Sequence, residues 1–353
     1  MRRLIMANKN TLFVSDIHLG AGKKWDWFSA EKEGPYLRNF FQYVAARQAE
    51  KGDIKELVLL GDVFDLWVCP HNEEPHTFDQ ILETHKEVMN EIKTTGKTVP
   101  ILYVNGNHDF RVSKGHIKKA FDGLVQHIGT HYRRRNIYAE HGHQFALFNR
   151  PDPKNGGPES LPLGYYISRL HASLGQTRKA KFNLALQAID ELFQMLGPEK
   201  MPESVLDSMK DAVENTKGIT VSGFKMGSGR NDRSYNEIKD NYKDLYEDWY
   251  KSKGYWYANQ MILCELNRLG TIADSLCRDG INIVIFGHSH DTKMDKDSWF
   301  TNDRIYANCG YWCGFGEQEK IEDNAHFVET DGEKVELFRF WNGEAKSVTK
   351  VKL

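Results

Sequence analysis

Cysteine is scarce in this chain and unpaired by its spacing: there are five, an odd number, with no Cys-x-x-Cys motif. A disulfide-built scaffold is therefore excluded, and a reducing, cytoplasmic setting is the expectation. Cys309 and Cys313 read as buried free thiols rather than a zinc or redox pair. Long apolar runs are also missing. No stretch approaches the roughly eighteen residues that would mark a transmembrane helix. The segment Met1 to Asn10 carries positive charge without the apolar run of a signal peptide. Neither sign of charge is in excess. A formal net charge of -2 leaves no global basic footprint for nucleic acid and no pull toward an anionic membrane. Internal repeats and low-complexity tracts are absent. What remains is the composition of a soluble globular protein, 40% apolar and 27% charged, and 353 residues suit one large domain or a domain with a sizeable insertion.

What is present is one repeated piece of grammar: an apolar strand that stops at a polar cluster. Leu57-Val58-Leu59-Leu60 reads as a strand buried on both faces, and it ends in Gly61, Asp62 and Asp65. Thr11 to Val14 ends in Ser15, Asp16 and His18, and Val99 to Val104 ends in Asn107, His108 and Asp109. Between these strands lie helical patterns. One is Leu37, Phe40, Phe41, Val44 and Ala45, closed by Gly52; another runs unbroken from about Phe78 to Thr95 and stops at Gly96. The order βαβαβ predicts a sheet that starts parallel, with helices on its faces. Strand-like runs from His131 to Phe148 lead to His141 and His143, and Ile281 to Phe286 leads to His288 and His290. Later short runs, Arg304 to Asn308, Ala325 to Glu329, Lys334 to Phe340 and Ser347 to Lys352, with Asp331-Gly332 and Asn342-Gly343 as hairpin turns, predict antiparallel strands of a second sheet. Residues 151–264 differ. A turn-rich opening is followed by helical stripes (Phe182, Leu186, Ile189, Phe193, Leu196; then Tyr235, Ile238, Tyr242, Leu245, Tyr246, Trp249) and a Gly/Ser loop, Ser222 to Arg230. This segment reads as a mostly helical insertion over the ligand edge, flanked by a main domain of residues 1–150 and 265–353.

All five polar clusters follow strands, and in an open α/β sheet ligands bind just past the carboxyl ends of the strands. Carboxylates, imidazoles and one amide, without thiolate, suit Mn, Fe, Zn or Mg. One metal takes four to six ligands; this set supplies enough for two with one carboxylate shared. Paired cations about 3.5–4 Å apart activate a water and clamp an in-line displacement at phosphorus. Asp-x-His and His-x-His place two ligands on the same side of an extended chain.

Asp16-Ile17-His18, Gly61-Asp62-Val63-Phe64-Asp65, Gly106-Asn107-His108-Asp109, His141-Gly142-His143 and Gly287-His288-Ser289-His290 resemble, in order, the signature of the calcineurin-like metallophosphoesterases. The resemblance spans Thr11 to Phe148 and Ile281 to the C-terminus. It implies a four-layer α/β/β/α sandwich with a dinuclear site between the sheet ends. Asp16, His18 and His290 would hold one divalent metal, Asn107, His141 and His288 the other, with Asp62 bridging; manganese is foremost. His108 would contact the phosphate and protonate the leaving oxygen, and Asp109 would orient His108. Asp65 would brace the Asp62 turn, and His143 would stand behind the ligands, face substrate or serve structure alone. A hydroxide held between the metals would then attack phosphorus.

The resemblance implies a phosphoester substrate, as monoester or diester. The arrangement is similar to UDP-2,3-diacylglucosamine hydrolases, in which the insertion caps the site and holds acyl chains, so a lipid-linked or nucleotide substrate under the cap is one alternative. Those enzymes usually carry arginine at the position of His108, and their insertion is shorter. Arg133-Arg134-Arg135 reads as a solvated face or as a clamp on a phosphate-rich substrate; the basic residues of the insertion, such as Arg178, Lys179, Lys181, Lys225, Arg230 and Arg233, keep a nuclease open, against the acids Glu237, Asp240, Asp244, Glu247 and Asp248. A metal-bound scaffold without turnover is the third alternative.

Overall fold

A computed structural model of the chain describes residues 10–152, 160–173, 204, 207, 219–221, 231–254, 260–261, 264, 269–297, 304–314 and 321–353. Strands β1 (Asn10–Val14), β2 (Ile54–Leu60), β3 (Ile101–Val104) and β4 (Val125–Gly129) run parallel. Between them lie α1 (Gly34–Lys51), the consecutive helices α2 (Phe78–Thr84) and α3 (Lys86–Gly96), and α4 (Lys114–Ala120). Gly52 ends α1 in the left-handed region at φ 60°, where its N–H donates to the Gln48 carbonyl.

The single helix expected from Phe78 to Thr95 is two. Thr77 and Gln80 close a capping box at the start of α2, and the helix breaks at His85. The buried His85 imidazole donates from Nε2 to the Gly20 carbonyl at 2.9 Å. That contact with the loop after β1 is tertiary, and no helical periodicity announces it.

The C-terminal strands also depart from expectation. β12 (His326–Thr330) pairs antiparallel with β1, and β13 (Lys334–Trp341) and β14 (Glu344–Lys352) follow outward, so these three extend the first sheet. Its order is β14-β13-β12-β1-β2-β3-β4. The second sheet holds β5 (His131–Arg134), β6 (Ile137–Glu140), β9 (Ile283–Phe286), β10 (Lys293–Asp297) and β11 (Arg304–Asn308), in the order β10-β11-β9-β6-β5. Within it β11 lies parallel to β9, not antiparallel.

Strand alternation makes the layers. Leu12, Val14, Leu57, Leu59, Ile101 and Tyr103 share one buried cluster with Phe40 and Phe41 of α1 and Ile92 of α3. Their neighbours Phe13, Val58, Leu60, Leu102 and Val104 turn to the other face and meet Ala139, Ile283, Ile285, Ile305 and Ala307 of the second sheet. On that sheet's outer side Val284 and Phe286 join Leu269 and Ala273 of the helix Leu269–Leu276. Helix, sheet, sheet and helix therefore stack, and the strands that carry the polar clusters are buried on both faces. In sequence between β6 and β9 lie α5 (Leu163–Ser173), the antiparallel pair β7 (Ile219–Val221) and β8 (Asn231–Arg233), and α6 (Tyr235–Lys253). Tyr235, Ile238, Tyr242 and Tyr246 are the buried stripe of α6. The Phe182 to Leu196 pattern and the Ser222 to Arg230 loop lie outside the described residues.

Candidate metal centre

Each strand ends in a turn that throws its polar residues inward. Asp16, His18, Asp62, His288 and His290 all take positive φ, between 50° and 69°. Non-glycine residues rarely adopt this conformation, and it concentrates at functional sites. Glycine is needed beside them because carboxylates fill its space. A Cβ on Gly106 would lie 2.2 Å from Asp62 Oδ1, and one on Gly287 would lie 2.5 Å from Asp16 Oδ2. These glycines make room for the protein's own acids.

Two donor groups result. In the first, His290 Nε2 stands 3.0 Å from Asp16 Oδ1 and 3.2 Å from His18 Nε2. In the second, His141 Nε2 stands 3.1 Å from Asp62 Oδ2 and 3.0 Å from Asn107 Oδ1. Asp62 Oδ2 is also 3.8 Å from His18 Nε2, and Asp16 Oδ1 is 3.8 Å from His141 Nε2, so the groups adjoin. Three triads, Asp16/His18/His290, His18/Asp62/His108 and Asp16/Asp62/His141, each offer ligand atoms within 4.8 Å of one another. His288 belongs to none of them: its ring lies 5.3 Å from that of His141, and its backbone N–H donates to Asp16. His143 is set further back, buried, with its Nε2 accepting from the Gln144 amide at 2.9 Å.

The donor set fits cations. His141 Nδ1 faces the Leu60 carbonyl at 3.0 Å and His18 Nδ1 faces Asp65 Oδ2 at 3.2 Å. Both partners only accept, so each Nδ1 carries hydrogen and Nε2 faces the centre. Against burial, the facing carboxylates raise His18 to about 10 and His141 to about 9, so in the metal-free chain each Nε2 also holds a proton, which a bound cation would displace. His141 Nε2, Asn107 Oδ1 and Asp62 Oδ2 thus converge on one point, which a proton fills in the metal-free chain and a divalent cation would fill in its place.

The family model for calcineurin-like phosphoesterase matches residues 9–292. The chain belongs to the calcineurin-like phosphoesterase family. A UDP-2,3-diacylglucosamine hydrolase of Hamiltonella defensa subsp. Acyrthosiphon pisum is 31% identical over 107 residues, 30% of this chain and 33% of that protein. A protein of the same name from Shewanella loihica is 29% identical over 118 residues, 33% of this chain and 40% of that one. The chain thus spans well under half the length of these relatives. Among solved structures, vacuolar protein sorting 29 from Cryptosporidium parvum aligns over 98% of both chains at 12% identity and a TM-score of 0.30, a likeness too low to bear on function.

Within this calcineurin-like phosphoesterase, two acids exchange the parts the sequence reading gave them. Asp109 does not touch the His108 ring. Its Oδ1 accepts from the Gly106 N–H at 2.6 Å, and its Oδ2 accepts from the N–H groups of Val63 at 2.9 Å and Phe64 at 3.3 Å. It therefore braces the Asp62 turn. Asp65 orients His108, with Oδ1 at 3.1 Å from His108 Nδ1, while its other oxygen holds His18. The reason is reach: the residue after His108 points back under its own turn, whereas Asp65 crosses from the neighbouring strand end.

Burial alone would raise every one of these carboxyl groups. For Asp16 and Asp62 the facing imidazoles, His141 foremost, outweigh burial and hold them well below the ordinary range. For Asp65, His108 and His18 do the same. For Asp109, burial and the like charge of Asp62 outweigh the Gly106 donor and His141 and push it up to about 6.

Sequence reading missed three neighbours. Trp67 stacks on His108 at 4.4 Å and Trp27 tilts over His18 at 4.7 Å and His108 at 5.3 Å; both indoles are buried. Asn149 accepts from the Asn107 amide nitrogen at 3.1 Å. None carries a local signal, since each acts through a contact between distant parts of the chain.

Proposed function

We propose that the protein is a dinuclear, divalent-metal-dependent phosphoester hydrolase. Asp16, His18 and His290 would hold one ion, Asn107 and His141, with His288 beside them, the other, and Asp62 both. The observation that carries this reading is the inward convergence of the Asp16, His18, Asp62, Asn107, His141 and His290 donors, with two imidazole tautomers set from behind. Bound divalent ions, manganese foremost, would supply a water of lowered pKa and positive charge against the phosphoryl oxygens.

The chain's own residues do the rest. His108 is held by Asp65 at Nδ1, and the Trp67 and Trp27 faces fix its plane. Its Nε2–H, when the ring is protonated, donates to a phosphoryl oxygen or to the departing oxygen. The buried indoles exclude water from that side of the ring. Residues 1–150 and 265–353 would form the catalytic domain and 151–264 a cap over bound substrate.

Purified protein with Mn²⁺ should hydrolyse bis-p-nitrophenyl phosphate or p-nitrophenyl phosphate, and Asn107→Ala and His108→Ala should abolish that turnover. Metal uptake without hydrolysis of either ester would leave a metal-bound scaffold. A finer reading takes its support from the name the two relatives share: a pyrophosphate-linked nucleotide lipid is the natural substrate to test next. Preference for polynucleotide, with affinity falling steeply as salt rises, would point to a nuclease instead.

A further inference from the structure

Asn107 offers its metal-facing oxygen only in one of two amide orientations. Its Oδ1 lies 3.0 Å from His141 Nε2, the ring nitrogen that faces inward because Nδ1 donates to the Leu60 carbonyl. Turned over, the amide would aim two N–H groups at the centre instead. Asn107 Nδ2 donates to Asn149 Oδ1 at 3.1 Å, across 42 residues of chain. Asn149 is itself pressed from behind by α5. A Cβ on Gly164, in the first turn of that helix, would lie 2.3 Å from Asn149 Oδ1, and the Gly164 N–H donates to the Phe148 carbonyl at 2.6 Å.

We propose that Asn149 is a positioning residue: it holds the Asn107 amide oxygen toward the metal centre, and the close approach of Gly164 keys it to the first helix of the 151–264 segment. The proposal rests on the metal-dependent reading above. A hydrogen bond that orients a metal ligand from outside is worth about 10–100-fold in metal affinity. Gly164 is required for space, so alanine there, otherwise the better helix former, displaces the Asn149 side chain without touching any ligand.

Metal-stripped wild type, Asn149→Ala, Asn149→Asp and Gly164→Ala are titrated with Mn²⁺ by calorimetry. Asn149→Ala and Gly164→Ala should each bind at least one Mn²⁺ about 10–100-fold more weakly. Asn149→Asp, which keeps an acceptor of the same size, should recover affinity relative to Asn149→Ala. Wild-type affinity in both Asn149→Ala and Gly164→Ala would overturn the proposal, as would Asn149→Asp binding no better than Asn149→Ala. Should Asn149→Ala not fold, Gly164→Ala reads the same contact. A wild type that takes up no Mn²⁺ would overturn both this proposal and the metal-dependent reading. Affinity is read without turnover, so a wild type that binds Mn²⁺ and hydrolyses no ester counts against the esterase function alone.

Discussion

Asp65 holds His108 across 43 residues of chain, carboxylate Oδ1 to imidazole Nδ1 at 3.1 Å. The same carboxylate reaches His18 with its second oxygen at 3.2 Å and accepts the N–H groups of Trp67 and Val68 at 3.0 Å each. One acid therefore sets the tautomer of a metal-facing histidine and of the histidine that would meet substrate, and it anchors the loop that carries Trp67.

Asp65→Asn should separate those duties. An amide offers one oxygen and one NH₂, so it can accept from only one of the two Nδ1–H groups. Either His18 or His108 then loses its acceptor and its fixed tautomer. Turnover of bis-p-nitrophenyl phosphate should fall about 10–100-fold, with weaker Mn²⁺ uptake if His18 is the ring that is lost. Unchanged turnover and unchanged uptake would refute the bridging role.

Asp109→Asn should act on folding rather than on chemistry. Its two oxygens accept from Gly106, Val63 and Phe64 N–H groups, and an amide nitrogen in either place would face a donor. Leaving buried donors unmatched costs about 1–3 kcal/mol. Urea unfolding of the metal-free protein should show that loss. An unfolding midpoint equal to wild type would mean the turn does not depend on this brace.

The parts of this fold that could be read from sequence are those governed by local periodicity. Apolar runs such as Leu57 to Leu60 announced buried strands, and the Asp16, Asp62, Asn107, His141 and His288 clusters announced strand ends, because both patterns lie within a few adjacent residues. What escaped depends on contacts between segments. Whether β12 joins the first sheet or the second is decided by its pairing with β1, about 300 residues away in sequence. His85 breaks a helix because Gly20 offers a carbonyl. Asp65 and Asp109 carry the same functional group near the same turn, and only the side-by-side pairing of β2 and β3 decides which one reaches His108.

His108→Asn should slow ester hydrolysis by about 10²–10⁴-fold while metal content stays at the wild-type level. The measurement matters because His108 lies within ligand distance of His18 and Asp62. Metal lost together with turnover would make His108 a ligand rather than a group reserved for substrate.

Asp62→Asn removes the carboxylate that both donor groups share. Its Oδ2 is 3.1 Å from His141 Nε2 and 3.8 Å from His18 Nε2. Elemental analysis after dialysis should find fewer than two ions per chain. Two ions per chain in the variant would end the shared assignment.

Glu33 predicts a pH effect remote from the metal centre. This carboxyl is 7% exposed at the start of α1, and burial pushes its pKa up to about 7 from 4.5 despite the Ser29 and Gly314 backbone donors. A raised acid binds its proton more tightly in the folded chain than in the unfolded one. Its contribution is therefore fully present below pH 4.5 and is lost as pH rises through about 7. The span is worth about 3 kcal/mol. Glu33→Gln keeps an oxygen for the Ser29 N–H, which the carboxylate now accepts at 2.7 Å, and has no proton to lose. Urea unfolding in EDTA at pH 5 and pH 8 should show the variant gaining on wild type by about 2.5 kcal/mol between the two, since pH 5 already lies above 4.5. Histidines and acids of the metal centre titrate in both proteins and cancel in the difference. An equal gap at both pH values would mean that Glu33 is already ionised in the folded protein at pH 5, and that its burial is offset by the two backbone donors after all.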